Sequence, residues 1–573
     1  YNDLNRNNKK YLYLDDQTYL EQFYSNYLNI DNCIDHNRNL KWDYSVDLNK
    51  PYKYGNSIIE NKFNITDFPY CYVGHRIMNM KQLYLQFFPL RLFKQRLRSI
   101  DTIDSSYLSS MCDWDFWSEY GKFRGDINKP PKTVYVKFDY IHIFYEDYFK
   151  YIKAPFILVT GGGDKTAITN VDHRWNNSEI NETVSRKIHD SKFLIRWFVE
   201  NGYNMLNKMV GIPTGVFENK TILQLYSEQF IYNNIRFNKL NVYVRHRTRN
   251  WCKNRLIVNK LCKKEWSKLV DYFEGEINPD IYRKNLMNYT FTLCVNGGGI
   301  DPSPKAFESI LCGSIPIIKR YDGVVSAYRG LPVIFIDDWK PSTITKEKLS
   351  YWLETKREYY ENFYLRNNIL YKLSSEYWYN YITSSNICII LTSTINIDNN
   401  INFNNDKNKM DRLKRYNYSI NHWINNTKLN IVLVENSGFT YPELEETSYF
   451  EKIIYDVVKT PEYNYLKNSK AKGQYECHSI NYAFKHSNLL KKADYIIKVT
   501  GRFFPVELET VLYKNLHNNI RYIRQNNINK CEIVGCHKSC FNKLFNFPVS
   551  HNHVETSYRN IIKNNIPENI LTL

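Results

Sequence analysis

Residues 291–320 read FTLCVNGGGIDPSPKAFESILCGSIPIIKR, and their order decides the fold class. The apolar run 291–295 has the composition of a short buried strand, and Gly297-Gly298-Gly299 follows it as a loop. Ser303 stands where an N-cap belongs and Pro304 at the first helical position. Phe307, Ile310 and Leu311 then form one apolar stripe, Gly313 stops the helix, and 315–318 is a second buried strand. Strand, glycine loop, helix and strand in this sequence predict a parallel α/β unit. Bare amides at Gly297, Gly298 and Gly299 and the positive end of the next helix suit a diphosphate. Glu308, one turn into that helix, is within reach of ribose hydroxyls, so the unit reads as a nucleotide-sugar site.

The glycines alone are a weak signal, because GGG is not GxGxxG and no Walker lysine-serine pair follows. An ordinary tight turn would use them equally well. The longer run, with Ser303, Pro304, Lys305, Glu308, Gly313 and Pro316 in register, resembles the donor-site segment of exostosin-like glycosyltransferases. In that family a Ser-Pro-basic-x-x-Glu string precedes a Gly-x-x-Pro and a strand, and the Glu binds the nucleotide ribose. Leu331-Pro332-Val333 and Asp337-Asp338-Trp339 look like the closing segment of the same family. The resemblance spans roughly residues 150–345.

Outward from this segment the expected strands are 134–138, 156–160, 193–198, 209–212 and 240–244. Residues 352–379 read as a helix or helix pair. A further α/β unit begins near 386, with strands expected at 387–391, 431–434 and 495–499. Four regions follow. Residues 1–130 are an N-terminal extension and the start of an acceptor half, within which 83–97 has helical character. Residues 131–235 are an acceptor-side Rossmann-like half, and 236–380 a donor-binding half with closing helices. Residues 386–573 are a separate α/β domain. Two Rossmann-like halves with the donor in the second are what a GT-B-like architecture would give.

A formal charge of +18 in 573 residues raises nucleic acid as a partner. No arginine-rich tract, zinc-finger spacing or RNA-binding aromatic motif accompanies it, so nucleic acid is not expected. With 49 Tyr against 21 Gly, and abundant Asn, Lys and Ile, the chain carries the drift of an AT-rich genome. That drift removes any role from single tyrosines. The 12 cysteines lack disulfide-scaffold spacing. Cys531, Cys536 and Cys540 with His537 do not have zinc-ribbon spacing, so reduced thiols in a cytoplasmic compartment are expected. No apolar run reaches the length of a membrane span. The start at Tyr1 leaves a removed anchor open.

Within the first unit, Asp164 follows three glycines at a strand end and is a candidate base for the acceptor hydroxyl, as are Asp172 and His173. A loop-capping Asx turn is an equal alternative for Asp164. A departing diphosphate needs positive charge. Among Arg245, His246, Arg247, Arg249 and Arg255, the choices are Arg245 and Arg255, with Asn296, Gly297 and Gly298 beside them. In the last domain, strands close on Thr392, on Glu435-Asn436-Ser437-Gly438 and on Lys498-Val499-Thr500-Gly501-Arg502. Arg412 sits on the helix between. No Asp-x-Asp stands on a strand end, since Asp398 and Asp406 fall in an Asn-rich loop. Lys472-Gly473-x-x-Glu476 and Lys498-x-Thr500-Gly501-Arg502 resemble a group of GT-A-like transferases with a K-x-T-G-R motif. In such enzymes Glu555 would match the acceptor-side carboxylate, although a structural carboxylate is the equal alternative. Either Lys498 and Arg502 neutralise the diphosphate in place of a metal, or the domain binds sugar without transferring it.

Together the two resemblances imply a bifunctional glycosyltransferase using UDP-sugars and a glycan or glycoconjugate acceptor. They imply no metal in the first unit and leave a divalent cation in the last domain open. The competing reading is a carbohydrate-binding or scaffold protein with one or both sites inactive.

Overall fold

The computed structural model describes residues 102–216 and 239–573, apart from 104, 118–122, 172–173, 175–177, 303, 397–408, 469–472, 517–518, 528–529 and 547–553. Before these it describes only the paired strands Lys53–Tyr54 and Ser57–Ile58. The expectations for 83–97, Asp172, His173, Ser303, Asp398, Asp406 and Lys472 lie outside the described residues.

Residues 102–218 and 233–573 form one compact unit holding three large sheets and a small parallel pair, Ala167–Ile168 with Gly202–Tyr203. The first is all parallel in chain order: β1 (Trp114–Phe116), β2 (Thr133–Lys137), β3 (Phe156–Gly161), β4 (Leu194–Val199) and β5 (Met209–Gly211). Both faces are covered, which is why β2 reads as a continuous apolar run with Val134, Tyr135 and Val136 fully buried. This sheet begins at Trp114, inside the stretch up to residue 130 that sequence could not resolve.

The second sheet contains β6 (Val242–His246), β7 (Val270–Glu274), β8 (Phe291–Leu293), β9 (Ile315–Lys319) and β10 (Ile334–Ile336), in the order β7-β6-β8-β9-β10, again all parallel. Helices α1 (Lys253–Lys263), α2 (Pro279–Leu286), α3 (Lys305–Leu311) and α4 (Asp322–Tyr328) connect them. The helix of the deciding segment starts at Lys305, one residue later than expected, with Pro304 as its cap residue. The two halves touch through glycines. A Cβ on Gly211 would lie 2.1 Å from the Gly323 carbonyl oxygen, and one on Gly323 would lie 2.2 Å from that of Gly202. Backbone meets backbone here, so no side chain fits.

Residues 346–383 form three helices instead of one or two: α5 (Lys346–Glu361), α6 (Phe363–Lys372) and α7 (Ser375–Thr383). Asn362 breaks the first, with extended backbone, and Ser374 caps the third by accepting from the Tyr377 amide. They lead into the third sheet: β11 (Ile387–Ser393), β12 (Asn430–Glu435), β13 (Phe450–Ile454), β14 (Tyr495–Thr500), β15 (Tyr522–Arg524), β16 (Ile533–His537) and β17 (Ile570–Thr572). Its order is β13-β12-β11-β14-β16-β15-β17, and β16 is antiparallel to both neighbours. Helices α8 (Lys409–Asn426), α9 (Gly473–His486), α10 (Leu508–Asn515) and α11 (Val554–Lys563) surround it.

A buried polar junction ties this last domain to what precedes it. Glu509 on α10 is paired with Lys372 on α6 at 2.5 Å, and both are almost fully buried. The same carboxylate accepts from the Lys428 amide at 2.5 Å and from the Tyr377 hydroxyl at 3.3 Å. The Lys428 ammonium donates to the carbonyls of Ser326 and Ala327 on α4, 2.8 Å each. Burial, with Arg329 nearby, pushes that ammonium well below the ordinary lysine value.

Candidate functional site

Parallel α/β sheets present ligands at the carboxyl ends of their strands, because the connecting loops gather there. In the first two sheets these ends face one another. The Gly161-Gly162-Gly163-Asp164 loop leaves β3, and the Asn296-Gly297-Gly298-Gly299 loop follows β8. Asn201 joins them, with its backbone in the left-handed region at φ 53°. Its side-chain oxygen accepts from the Ile300 and Asp301 amides, both at 2.9 Å, and its side-chain amide donates to the Gly163 carbonyl at 3.0 Å. Asp301 in turn accepts from the Thr214 amide and the Tyr328 hydroxyl. Sequence reasoning did not find Asn201, although Asn201-Gly202 after a buried strand is a turn signal of the kind that places such a side chain.

The middle glycine of the second half lies against two residues of the first. A Cβ on Gly298 would sit 1.8 Å from an Arg174 nitrogen and 2.3 Å from an Asp164 carboxylate oxygen. Asp164 is paired with Arg174 at 2.8 Å, and its side chain keeps 56% of its area exposed. The Arg174 guanidinium lies 3.9 Å from the centre of the Trp251 ring, and that ring is itself exposed. Neither Arg174 nor Trp251 was singled out in the sequence. Trp251 ends the run Arg247–Arg249–Trp251, in which the arginines drew the attention.

Cations line the other side of the loop. A Cβ on Gly297 would be 2.9 Å from Arg255, whose Nη1 donates to the Arg247 carbonyl. The Arg255 Nε is buried without a hydrogen-bond partner among the described residues. Burial lowers its pKa, and Arg247 and Arg249 add to the effect while Cys252 and Asp164 oppose it. Lys305 keeps some exposed area, yet its ammonium is hemmed in, and burial together with Arg255 holds it down to about 7. His246 is pushed to about 3 by burial and by Lys305, and its Nε2 is bound to Asn259 at 2.6 Å. Positive groups that lower one another are what an arriving anion would relieve. Asn296 shapes the loop, with its side-chain amide donating to the Gly299 carbonyl and its oxygen accepting from Asn254.

Two expected residues stand elsewhere. Arg245 pairs in register with Phe273 and donates to the Gly275 carbonyl at 3.3 Å, so it turns to the outer strand while Arg255 reaches the loop. Glu308 is buried in an ion pair with Arg283, 2.8 Å between Oε1 and Nη2, where an open ribose-binding carboxylate was expected. The periodicity that put Glu308 on the inner face of α3 could not show that α2 brings an arginine to meet it. Set against known families and characterised proteins, the chain matches none.

The third sheet has its switch point between β11 and β14, where the chain reverses its direction of adding strands. Thr392 and Thr500 are register partners there, and the Gly501 amide donates to the Thr392 carbonyl. Arg412 spends Nε and Nη2 on the Thr394 carbonyl, and exposed Arg502 lies over the Phe503 ring. Glu435 is fully buried and accepts from the amides of Ile395, Ser437 and Phe439 and from the Ser437 hydroxyl. Burial raises its pKa against the pull of those donors. Asn436 accepts from Thr394 and donates to Ser479. Glu435 and Asn436 therefore build the loop. Lys498 is buried against Glu476 at 2.9 Å and donates to the Cys531 carbonyl at 2.8 Å. Burial alone would lower its ammonium, but Glu476 and the other neighbours outweigh it and raise it. Glu555 is half-buried in the first turn of α11. Among the described residues no group of three or more His, Cys, Asp or Glu could hold a metal ion, and no helix is long and apolar enough to cross a membrane.

Proposed function

We propose that the chain is a glycosyltransferase with two nucleotide-sugar sites, a GT-B-like one between the first two sheets and a GT-A-like one on the third. One observation carries the reading. Asp164, chosen as a base, and Gly298, chosen as a donor-loop residue, lie against one another across the facing strand ends although 134 positions separate them in the sequence. In this reading the diphosphate of a UDP-sugar rests on Gly297 and Gly298 with Arg255 and Lys305 beside it. Asp164 takes the acceptor hydroxyl proton while the hydroxyl oxygen bonds to the anomeric carbon. The bond from that carbon to the diphosphate breaks, its electron pair stays on the departing diphosphate oxygen, and the two cations balance that charge. The order of the third sheet, with four parallel strands around a switch point and one reversed strand, supports the GT-A-like reading. Arg502 and Thr500 would meet the second donor, and Glu555 would serve the acceptor.

The ion pairs of Glu308 with Arg283 and of Lys498 with Glu476 favour a second reading, in which one site binds carbohydrate without transferring it. Thermal-shift titration of the whole chain with UDP-, GDP-, CMP- and dTDP-sugars tests both. A folded-state ligand must raise the midpoint. The transferase reading expects donor hydrolysis or transfer that Arg255→Ala removes from one site and Arg502→Ala from the other. Binding with no turnover at either site would leave the second reading standing.

A further inference from the structure

We infer that Arg174 is a third cation for the diphosphate at the first site, standing between that group and Asp164. The inference rests on the transferase reading of this site and adds a donor-binding residue from the first half. In that reading the diphosphate lies on Gly297 and Gly298. The carboxylate chosen as base comes to the same place, since a Cβ on Gly298 would lie 2.3 Å from the Asp164 Oδ2. Two anions gathered on one glycine repel each other unless a cation separates them. Arg174 is already there. Its Nη2 holds the Asp164 Oδ2 at 2.8 Å, and the same nitrogen would lie 1.8 Å from that Cβ.

A guanidinium suits this place better than an ammonium would. Its planar fork carries five N–H donors, so it can keep one carboxylate oxygen and turn others to a phosphate. The Arg174 and Asp164 side chains are 30% and 56% exposed, and an ion pair this open costs little to loosen. The pair engages Oδ2, and the exposed carboxylate stays within reach of an acceptor hydroxyl. Trp251, from the second half, supports the guanidinium, which lies 3.9 Å from its ring centre.

The neighbouring cations do not take its place. Lys165, next to Asp164 in the chain, is paired with Asp139 at 3.4 Å. Arg247 is paired with Glu276, and Arg255 lies against Gly297 instead of between Gly298 and Asp164. A pair that only tied Arg174 to Asp164 would need neither the contact with Gly298 nor the Trp251 ring.

Calorimetric titration of the whole chain with UDP and with inorganic pyrophosphate tests the inference. Arg174→Ala is expected to weaken UDP binding about tenfold, and the melting profile should not move because the side chain is exposed. Asp164→Asn removes the repelling charge. In the Arg174→Ala background it is expected to recover about threefold or more of the loss, against no more than about twofold when Arg174 is present. A loss within about twofold in Arg174→Ala would overturn the inference, as would an Asp164→Asn effect of equal size with and without Arg174. If UDP binds and Arg255→Ala removes turnover while Arg174→Ala changes nothing, the transferase reading stands and the Arg174 assignment fails. If pyrophosphate shows the expected pattern but no nucleotide sugar is turned over, the transferase reading fails and Arg174 remains part of an anion site. If the unaltered chain binds neither probe, both fail.

Discussion

The glycine loop after β8 and the strand end at β14 solve the same electrostatic problem in opposite ways. At the loop, Arg255 and Lys305 crowd one another and neither is ion-paired with a carboxylate among the described residues, so burial lowers the ammonium of Lys305 against the weaker pull of Glu308. At β14, Lys498 already has Glu476 at 2.9 Å and is raised. The first arrangement is under tension until an anion arrives. The second is satisfied without one. A buried cation thus points to a ligand only when the fold leaves it uncompensated.

The largest effect that would sharpen this contrast is on stability. Lys498→Met strands half-buried Glu476, whose Oε1 is covered, and is expected to cost about 3 kcal/mol, read from the denaturant midpoint. Lys305→Met should cost nothing and stabilise slightly. A lysine whose folded pKa is lowered binds fewer protons folded than unfolded, so below its unfolded value its charge opposes folding. Equal losses in the two variants would erase the distinction.

Turnover comes next. Arg255→Ala is expected to slow donor cleavage at the first site by about a hundredfold, while Arg245→Ala, on the outer strand, leaves it within about twofold. A deep loss from Arg245→Ala would return that residue to the site.

Glycine replacements separate rigid from yielding contacts. Gly211→Ala, facing the Gly323 carbonyl, should destabilise by about 1–3 kcal/mol. Gly298→Ala meets side-chain ends that can turn away, so it should spare stability and weaken UDP binding instead. The smallest effect is on pH. The Lys305 ammonium is present below about 7 and lost above it, and a bound diphosphate would raise that value. UDP affinity is therefore expected to fall as pH rises above 7, by no more than about tenfold per pH unit for one proton. Lys305→Arg should flatten the profile.

The alternation of apolar runs with polar loops made the parallel α/β character of all three regions legible, because strands covered on both faces are apolar throughout. The short strands Trp114–Phe116, Phe450–Ile454 and Tyr522–Arg524 were not seen. Each has only three to five residues, too short a run to stand out from the loops on either side. Gly298, Arg255 and Asp164 could be named because motif position and strand-end placement select them. Arg283, Asn201 and Arg174 could not. Their roles come from neighbours supplied by distant segments, and nothing in their local spacing announces those neighbours.

Lys428 and Lys372 reach one carboxylate from different stretches of chain, and Lys428 also grips the end of the helix below the first site. Severing the polypeptide near residue 384 would leave Lys372 on one piece and Glu509 on the other, so the two pieces should stay associated through that pair. The same clasp forbids a swinging arm. If the two-site transferase reading holds, any carbohydrate finished at one station would have to leave, diffuse and rebind to be extended at the other.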